Sequence, residues 1–220
     1  MTRTATTRAG VALGAALLLT LTGCTGGGEP EPTKEALPKH TSQEIGAIFT
    51  GIKFAPAQFG STGELLGSVY PGLTASDATC LAPFGVGWDQ EETLGDAGIE
   101  YGTSADRSMT AVVTSTGDAD LASSLVADAE DALERCAEGS DLFALQGMPV
   151  TTSVAQTEPA LTGTDEAVGW TVKGVVGTAP FTLVGITARV GGDAIALVGW
   201  DPATNASYVP RATQLFVDAL

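Results

Sequence analysis

The sequence predicts an α+β domain, built as a single antiparallel sheet with helices packed mainly on one face and with one disulfide. Four short β-type runs follow one another between residues 147 and 200, and turn residues separate them. Helical patterns precede these runs at residues 41–52 and 118–138 and follow them at 205–220. This order of elements favours one antiparallel sheet that packs against helices.

The N-terminal segment has the layout of a secretory signal. Arg3 and Arg8 give it a positive start, residues 11–21 form a short apolar run, and small residues then lead to a cysteine. The apolar run is about a dozen residues long, which is shorter than the roughly 20 residues that a permanent membrane-spanning helix needs. The segment therefore predicts export from the cytoplasm.

The tetrapeptide Leu21-Thr22-Gly23-Cys24 resembles the bacterial lipobox at every position. The resemblance implies that the thiol of Cys24 receives a diacylglycerol and that cleavage before Cys24 removes residues 1–23. The alternative is an ordinary signal peptide, or an uncleaved anchor, that contains a cysteine at this place by chance. We expect a protein that is lipid-anchored to the extracytoplasmic face of the cell membrane through its N-terminal diacylglyceryl cysteine.

The charge balance bounds the class of partner. The 220-residue chain has 10 Lys and Arg against 26 Asp and Glu, a net charge of -16, and the part after the signal is more acidic still because the signal carries two arginines and no acids. Such a surface does not neutralise phosphates, which argues against a nucleic-acid partner, and it disfavours lying flat on an anionic leaflet.

The length of the chain is sufficient for one domain with a hydrophobic core of its own. The Ala-, Gly-, Thr- and Asp-rich composition favours a high-GC bacterium, such as an actinobacterium.

Residues 24–40 are predicted to be a flexible tether because Gly, Pro and charged residues dominate them. The tether ends at His40, which is the only histidine in the chain. A single extracytoplasmic domain is predicted at residues 41–220. Its first helix opens with Thr41 and Glu44 at the spacing of a capping box. The apolar face of this helix consists of Ile45, Ile48, Phe49 and Ile52.

Residues 53–87 are predicted to form loops and short pieces of structure. Their aromatic side chains either fill the core beneath long loops or line a ligand cleft. These side chains are Phe54, Phe59, Tyr70 and Phe84. The acidic stretch at residues 88–100 also has two interpretations, a solvated loop or a weak cation site, and its spacing does not match the calcium-loop pattern.

Two cysteines besides the lipobox cysteine predict a disulfide. Cys80 and Cys136 form an even pair in an oxidising compartment. The helix predicted at 118–138 has Asp118 as its N-cap and Gly139 as its stop signal, and it carries Cys136 on its apolar stripe. The disulfide would pin this helix against the preceding loop region. The alternative, a thiolate nucleophile or a metal pair, lacks a nearby His and a Cys-x-x-Cys spacing.

The strand predictions end in an antiparallel meander. The predicted strands lie at residues 99–101, 108–116, 150–156, 167–176, 181–190 and 194–200. The sequence Gly191-Gly192-Asp193 predicts a tight hairpin between the last two strands. Glycines inside the predicted strands indicate either bulges or faces where another element packs closely. These glycines are Gly174, Gly185 and Gly199.

This order of parts resembles a group of actinobacterial secreted domains, namely the extracellular sensor domain of mycobacterial Ser/Thr protein kinases and related stand-alone lipoproteins. The match consists of a tether, an N-terminal helix, Cys80 after a loop region, a helix that ends in Cys136, a sheet meander and a C-terminal helix. It covers roughly residues 41–220. The kinase domains carry two disulfides, whereas this chain can form only one. The resemblance implies the fold and a ligand-sensing or ligand-binding role, and it carries over no site residue.

The sequence lacks the motifs of common hydrolases and nucleotide-dependent enzymes. Nucleophilic catalysis usually needs a base, most often histidine, and the only histidine lies in the predicted tether. The nucleophile elbow, the zinc-binding helix signature and the phosphate-cradling glycine loop are all missing. Paired carboxylates for acid–base chemistry remain an open alternative. We therefore predict a non-catalytic protein without a cofactor or a metal.

Two functions of different classes remain. The first is a ligand-binding or sensor domain that holds a small or apolar molecule in a cleft between the sheet and residues 53–87. The second is an envelope module that docks a protein partner and binds no small molecule. A preformed cavity favours the first, and a filled core with an exposed apolar patch favours the second. The aromatic candidates for ligand binding are Trp88, Trp170, Trp200, Phe54 and Phe59, and plain core packing is the simpler alternative for each Trp.

Overall fold

The computed structural model describes residues 36–52, 59–61, 73–75, 77–136, 138–145, 147–200 and 202–220. The α-helices in these ranges are α1 (Ser42–Gly51), α2 (Ala119–Arg135) and α3 (Pro202–Val217). The strands are β1 (Phe59–Ser61), β2 (Leu73–Thr74), β3 (Gly98–Ser104), β4 (Met109–Ser115), β5 (Glu138–Leu145), β6 (Met148–Thr157), β7 (Glu166–Val176), β8 (Ala179–Val190) and β9 (Asp193–Trp200). Three short 3-10 helices lie at Ala78–Phe84, Trp88–Gln90 and Glu92–Leu94, and we call residues 77–94 the 3-10 region. Among the helices of these ranges, none has both the length and the apolar composition that crossing a membrane requires.

The described strands form one sheet in the order β1-β3-β4-β9-β8-β7-β6-β5-β2, with antiparallel neighbours throughout. Strand β9 joins the meander of β5–β9 to the hairpin of β3 and β4, and Val112 lies opposite Ala196 at this junction. The predicted α+β class, with a single antiparallel sheet and one disulfide, is therefore confirmed.

Tight turns connect the last three strands. Gly177 and Gly191 have φ angles of 62° and 56°, in the left-handed region that favours glycine. The pairing of β7 with β8 and of β8 with β9 runs without interruption from these turns. The antiparallel meander that the sequence predicts is confirmed.

Glycines inside the strands mark close approach of neighbouring groups. A Cβ atom added at Gly199 would lie 2.7 Å from side-chain atoms of Asn205 and Val209 on α3. A Cβ atom added at Gly185 would overlap the indole of Trp170 on the neighbouring strand. The strand register is continuous at both glycines, so of the two interpretations close packing applies and a bulge does not.

Helices α1 and α3 cover one face of the sheet, which we call the closed face. α1 begins at the N-cap Thr41, whose side chain forms a complete capping box with Glu44, as the sequence predicts. Phe49 of α1 and Phe216 of α3 are both fully buried and meet edge to face, with ring centroids 4.8 Å apart. The side chains of β4 and β9 that point to this face are buried beneath the two helices.

Helix α2 and the 3-10 region cover the opposite face, which we call the cleft face. α2 begins at the N-cap Asp118 and ends at Arg135, and Cys136 forms the predicted disulfide with Cys80 across a Cα–Cα distance of 5.9 Å. The sequence predicts that the helices pack mainly on one face, and α1 and α3, two of the three α-helices in the described ranges, do so. α2 lies on the other face because every residue of β4 is buried, so that both faces of this strand need a cover.

Strand β5 is absent from the predicted elements. Glu138–Leu145 begins with Glu-Gly-Ser-Asp, which shows no alternation of apolar and polar residues, and the strand forms by pairing with β6. Gly139, predicted as the stop signal of the preceding helix, lies within this strand instead. The helix ends earlier, at Arg135, with Cys136 as its C-cap.

The end of the predicted tether is attached to the domain. The ammonium of Lys39 lies 2.6 Å from the carboxylate of Asp96, and the backbone N–H of His40 donates to Ser115 Oγ at 2.7 Å. Lys39 and His40, at the end of the predicted tether, therefore contact residues of the folded domain. Sequence composition misses this because two polar side chains and one backbone group make these contacts, with partners that lie far away in the sequence.

Candidate ligand-binding cleft

A cleft of about 540 Å³ opens on the cleft face between α2 and the 3-10 region. Its volume lies within the range that is typical of small-molecule sites, roughly 300–1,000 Å³. Ala82, Val86 and Leu125 give it an apolar lining. Polar side chains from both walls surround this apolar part, so the cleft combines an apolar surface with charged groups.

Three kinds of interaction join the two walls at the C-terminal end of α2. The disulfide links them covalently. Arg135 Nη1 donates to the carboxylate of Asp77 at 3.1 Å, and Arg135 Nη2 donates to Thr79 Oγ1 at 2.9 Å. Asp77 also caps the first 3-10 helix, and hydrogen bonds from the hydroxyl and the backbone N–H of Thr79 hold the pKa of Asp77 below its usual value. The width of the cleft is therefore fixed at this end.

Four carboxylates line the cleft, and none of them has a compensating partner among the described residues. Glu91 and Glu92 come from the 3-10 region, and Asp128 and Asp131 come from α2. Within the described ranges, none of the four side chains takes part in an ion pair or a hydrogen bond. The guanidinium of Arg135 is occupied by Asp77. The described lining residues of the cleft therefore carry an excess of negative charge on exposed side chains.

Trp88 also lines the cleft, and it is only 3% exposed. Its Nε1–H group is buried and finds no acceptor in the described part of the chain. The Nε1 atom has almost no accessible surface, like the Nε1 atom of the core residue Trp170, so it does not open into the cleft. Behind it, burial first and then the carboxylate of Asp89 raise the pKa of Tyr101 well above its usual value, so Tyr101 is neutral at physiological pH.

A second groove, of about 440 Å³, lies on the other side of the sheet between α3 and strands β7 and β8. Trp170 is among the residues that line it. Its side chain alternates with Gly169 and Thr171 and so points to the cleft face, where it packs against Phe84 with ring centroids 5.0 Å apart. The indole of Trp170 is 1% exposed and belongs to the core of the cleft face.

His40, Asp193 and Ser115 lie close together at the rim of the closed face, but they do not form a catalytic triad. His40 Nδ1 lies 3.4 Å from the carboxylate of Asp193. Ser115 is fully buried, and its hydroxyl accepts the backbone N–H of His40 and donates to Asp193. Because the hydroxyl is bound to the acid and not to the imidazole, this serine is not an activated nucleophile. The cluster attaches the end of the tether to the sheet.

The structure separates the aromatic residues that the sequence proposes for ligand binding. Trp88 lines the cleft, whereas Trp170 is a core residue. Trp200 is half-buried, packs against the same core and lines neither the cleft nor the groove. Phe59 lies in β1, but its side chain and the whole of Phe54 are outside the described residues, as is the predicted lipidation site Cys24.

The sequence analysis misses the wall that α2 contributes. Asp128 and Asp131 lie off the apolar stripe of this helix and are interpreted there as part of its solvated side. The acidic stretch with Glu91 and Glu92 is interpreted as a loop or a weak cation site. Only the disulfide, which brings residue 80 to residue 136, could indicate that the acidic stretch and the polar side of α2 face one another.

Groups of three or more His, Cys, Asp or Glu side chains that could hold a metal ion do not occur within the described ranges. The carboxylates of the cleft are therefore distributed along its walls and do not converge on one point. In comparisons with known proteins, no protein-family model matches this chain, and no curated protein is significantly similar to it.

Proposed function

We propose that this protein is a lipid-anchored lipoprotein of the extracytoplasmic face of the cell membrane, whose domain binds a small molecule without catalysing a reaction. The observation that carries the binding role is the cleft beneath α2, which combines a suitable volume with an apolar lining and with four carboxylates that have no ion-pair partner among the described residues. The resemblance to secreted sensor domains is consistent with this role. The anchoring role rests on Leu21-Thr22-Gly23-Cys24.

The alternative is an envelope module that docks a protein through an exposed apolar patch. Met148 and Val175 are the large exposed apolar side chains of the described residues. By strand alternation Met148 points to the same face as the buried Val150, whereas Val175 points to the opposite face. The two side chains do not join into one patch. This arrangement favours the ligand-binding proposal over the docking module.

Native mass spectrometry tests the binding role. The full-length protein is purified from the bacterial envelope in a non-ionic detergent and is measured intact and after denaturation. We expect an additional mass, beyond that of the lipid anchor, that is released on denaturation and identifies the ligand. A protein that carries only its lipid before and after denaturation would favour the docking module instead.

The anchoring role is tested separately by mass spectrometry of the N-terminal peptide. We expect this peptide to begin at Cys24 and to carry a diacylglyceryl group. The Cys24→Ser variant should keep residues 1–23 and lack the lipid, because the thiol is the acceptor of the diacylglyceryl group. A wild-type N-terminal peptide with an unmodified Cys24 would contradict the lipoprotein assignment and would leave the binding role unaffected.

A further inference from the structure

We infer that the groove between α3 and strands β7 and β8 is a second binding site, and that its ligand is an aliphatic monocarboxylate. The groove lies on the closed face, so the inference goes beyond the proposed function of the cleft and does not depend on it. Four observations carry it: the register of hydrogen-bond donors on β7 and β8, a lysine that has no partner among the described residues, an apolar wall, and a carboxylate at the other end of the groove.

The strand register brings three hydrogen-bond donors together on the floor of the groove. Trp170 and Val172 of β7 are buried on the cleft face, so Thr171 and Lys173, which alternate with them, point to the closed face. Thr182 of β8 lies directly opposite Lys173, and directly opposed side chains on one face have Cβ atoms about 4.5–5.5 Å apart. The lysine and the two threonines therefore form one end of the groove.

These three donors have no partner within the described ranges. Lys173 takes part in no ion pair or hydrogen bond there, although the chain has 26 acidic residues against 10 Lys and Arg. Lys39, Arg135 and Arg189, by contrast, are each paired with an acid. The hydroxyls of the two threonines likewise donate to no described group. A carboxylate of a bound molecule can accept hydrogen bonds from all three donors, and its charge complements that of the lysine.

The apolar part of the groove fits an aliphatic body. Val184 and Ile186 of β8 continue the floor beyond Thr182, on the same face of the strand. Ala206 and Pro210 of α3, which are about one helical turn apart, form the wall beside them. The volume of about 440 Å³ lies within the range of small-molecule sites. A ligand whose carboxylate meets the donors can therefore lay an apolar chain along this floor.

The opposite end of the groove carries a negative charge. Glu158 follows Thr157, which lies opposite Gly169, four residues along β7 from Lys173. Four residues of a strand span about 13 Å, and the described side chains of Glu158 and Lys173 form no ion pair with each other. A second carboxylate at that end of a ligand would meet Glu158, whereas an aliphatic end would contact the neighbouring Pro159. The groove therefore selects a monocarboxylate over a dicarboxylate.

The acidity of the whole chain does not prevent the binding of one carboxylate. The net charge of -16 repels anions at long range. Salt screens such interactions beyond about 10 Å at an ionic strength of 0.1 M, so the neighbouring ammonium of Lys173 has more influence on a bound carboxylate than distant acids have.

The experiment uses octanoate as the probe, octanamide as the neutral ligand of the same length and suberate as the matching dicarboxylate. Binding to the full-length protein in dodecyl maltoside is titrated by saturation-transfer NMR, with irradiation of the aromatic protons of the protein because this detergent has none. We expect octanoate to bind about three- to fivefold more tightly than octanamide, which is the order of a single exposed charge pair. Suberate should bind at least about threefold more weakly than octanoate, because its second carboxylate would lie among apolar groups near Glu158.

Three single variants test whether binding occurs in the groove. Lys173→Gln should remove the preference for octanoate over octanamide and leave the binding of octanamide unchanged. The control, Arg107→Gln, removes one positive charge from an exposed turn outside the groove, and the affinity for octanoate should change by less than about twofold. Ala206→Leu should abolish the binding of both ligands, because the longer side chain fills the groove. All three positions are exposed, so the variants should fold normally.

Several outcomes would overturn the inference. If octanoate does not bind, or binds no more tightly than octanamide, the groove is not a carboxylate site. Equal weakening by Lys173→Gln and Arg107→Gln would mean a response to net charge alone. Binding that persists in Ala206→Leu would place the ligand elsewhere, and suberate that binds as tightly as octanoate would contradict the selection of a monocarboxylate.

These outcomes are distinguishable from a failure of the proposed function. The groove shares no described lining residue with the cleft beneath α2, so Lys173→Gln and Ala206→Leu leave the cleft unchanged. A mass released in native mass spectrometry would still support the cleft if octanoate did not bind.

Discussion

The two faces of the sheet are covered in different ways. On the closed face, two regular helices meet through Phe49 and Phe216, and the side chains beneath them are almost completely buried. On the cleft face, one regular helix meets three short 3-10 helices, and a cleft of about 540 Å³ remains between them. The same sheet lies beneath the helices on both faces.

The difference follows from the local sequences. Helices α1 and α2 both have N-caps and an apolar stripe that fits a neighbouring surface. The 3-10 region instead contains Pro83 within its first helix, and the left-handed Gly85 ends that helix after a short run. A second left-handed glycine, Gly87, precedes the next short helix. Short helices cannot bury a continuous stripe, and the disulfide with Arg135 holds them against α2. Two regular helices therefore cover the closed face above β4 and β9. On the cleft face, the disulfide and the Arg135 contacts fix the short 3-10 helices beside α2, and a cleft remains between them.

The largest expected effect comes from removing the disulfide. The Cys80→Ser, Cys136→Ser double variant loses a link across 56 residues, and its free energy of unfolding should fall by about 4 kcal/mol on the chain-entropy model. We expect hydrogen exchange to accelerate first in α2 and the 3-10 region, while the amides of α1 keep their protection. Urea unfolding and hydrogen exchange with mass spectrometry measure the two effects. Equal acceleration on both faces would show that the covers do not differ.

A pair of truncations compares the two covers directly. Ile45 on α1 is fully buried, and Ile45→Ala should lower the free energy of unfolding by about 4 kcal/mol, because it leaves an enclosed cavity. Leu125 on α2 is nearly as buried, but it borders the cleft. Leu125→Ala should therefore cost about 2 kcal/mol, since the lost volume joins a space that solvent already reaches. Urea unfolding of the two variants measures the difference, and a larger loss for Leu125→Ala would contradict the assignment of the faces.

The closed face could be predicted from the sequence far better than the cleft could. Its elements carry periodic signals, such as the capping box at Thr41 and the apolar stripe of α1, and these signals fix both the element and the face that it buries. The disulfide was predictable because Cys80 and Cys136 are the only cysteines of the sequence besides Cys24, and an even pair after a predicted export signal favours a disulfide. These local rules needed no knowledge of distant contacts.

The cleft depends on contacts that no local pattern encodes. Asp128 and Asp131 look like ordinary solvated residues of an amphipathic helix, and only the packing of the 3-10 region makes them face Glu91 and Glu92. Strand β5 likewise forms through pairing with β6, against a weak local preference. The tryptophans show the same limit, because their type predicts burial but not which of them borders a cleft.

The smallest expected effect is a pH dependence at the rim of the closed face. Burial raises the pKa of Asp193 above its usual value, although hydrogen bonding from Ser115 and the charge of His40 oppose this change. A raised pKa in the folded state means that the contribution of Asp193 to stability is present at low pH and is lost as the pH rises above 3.8 through the folded pKa. Relative to Asp193→Asn, which is neutral throughout, the wild type should therefore lose stability as the pH rises from about 4 through the raised pKa of Asp193.

Urea unfolding of both proteins at several pH values in this range measures the change, and effects of the other acids cancel in the difference. His40→Gln removes an opposing charge, so it should raise the pKa of Asp193 further and extend the loss of stability to higher pH. A difference between the wild type and Asp193→Asn that stays constant with pH would show that Asp193 keeps an ordinary pKa. Because His40 precedes α1 directly, this measurement also tests whether the end of the tether belongs to the cover of the closed face.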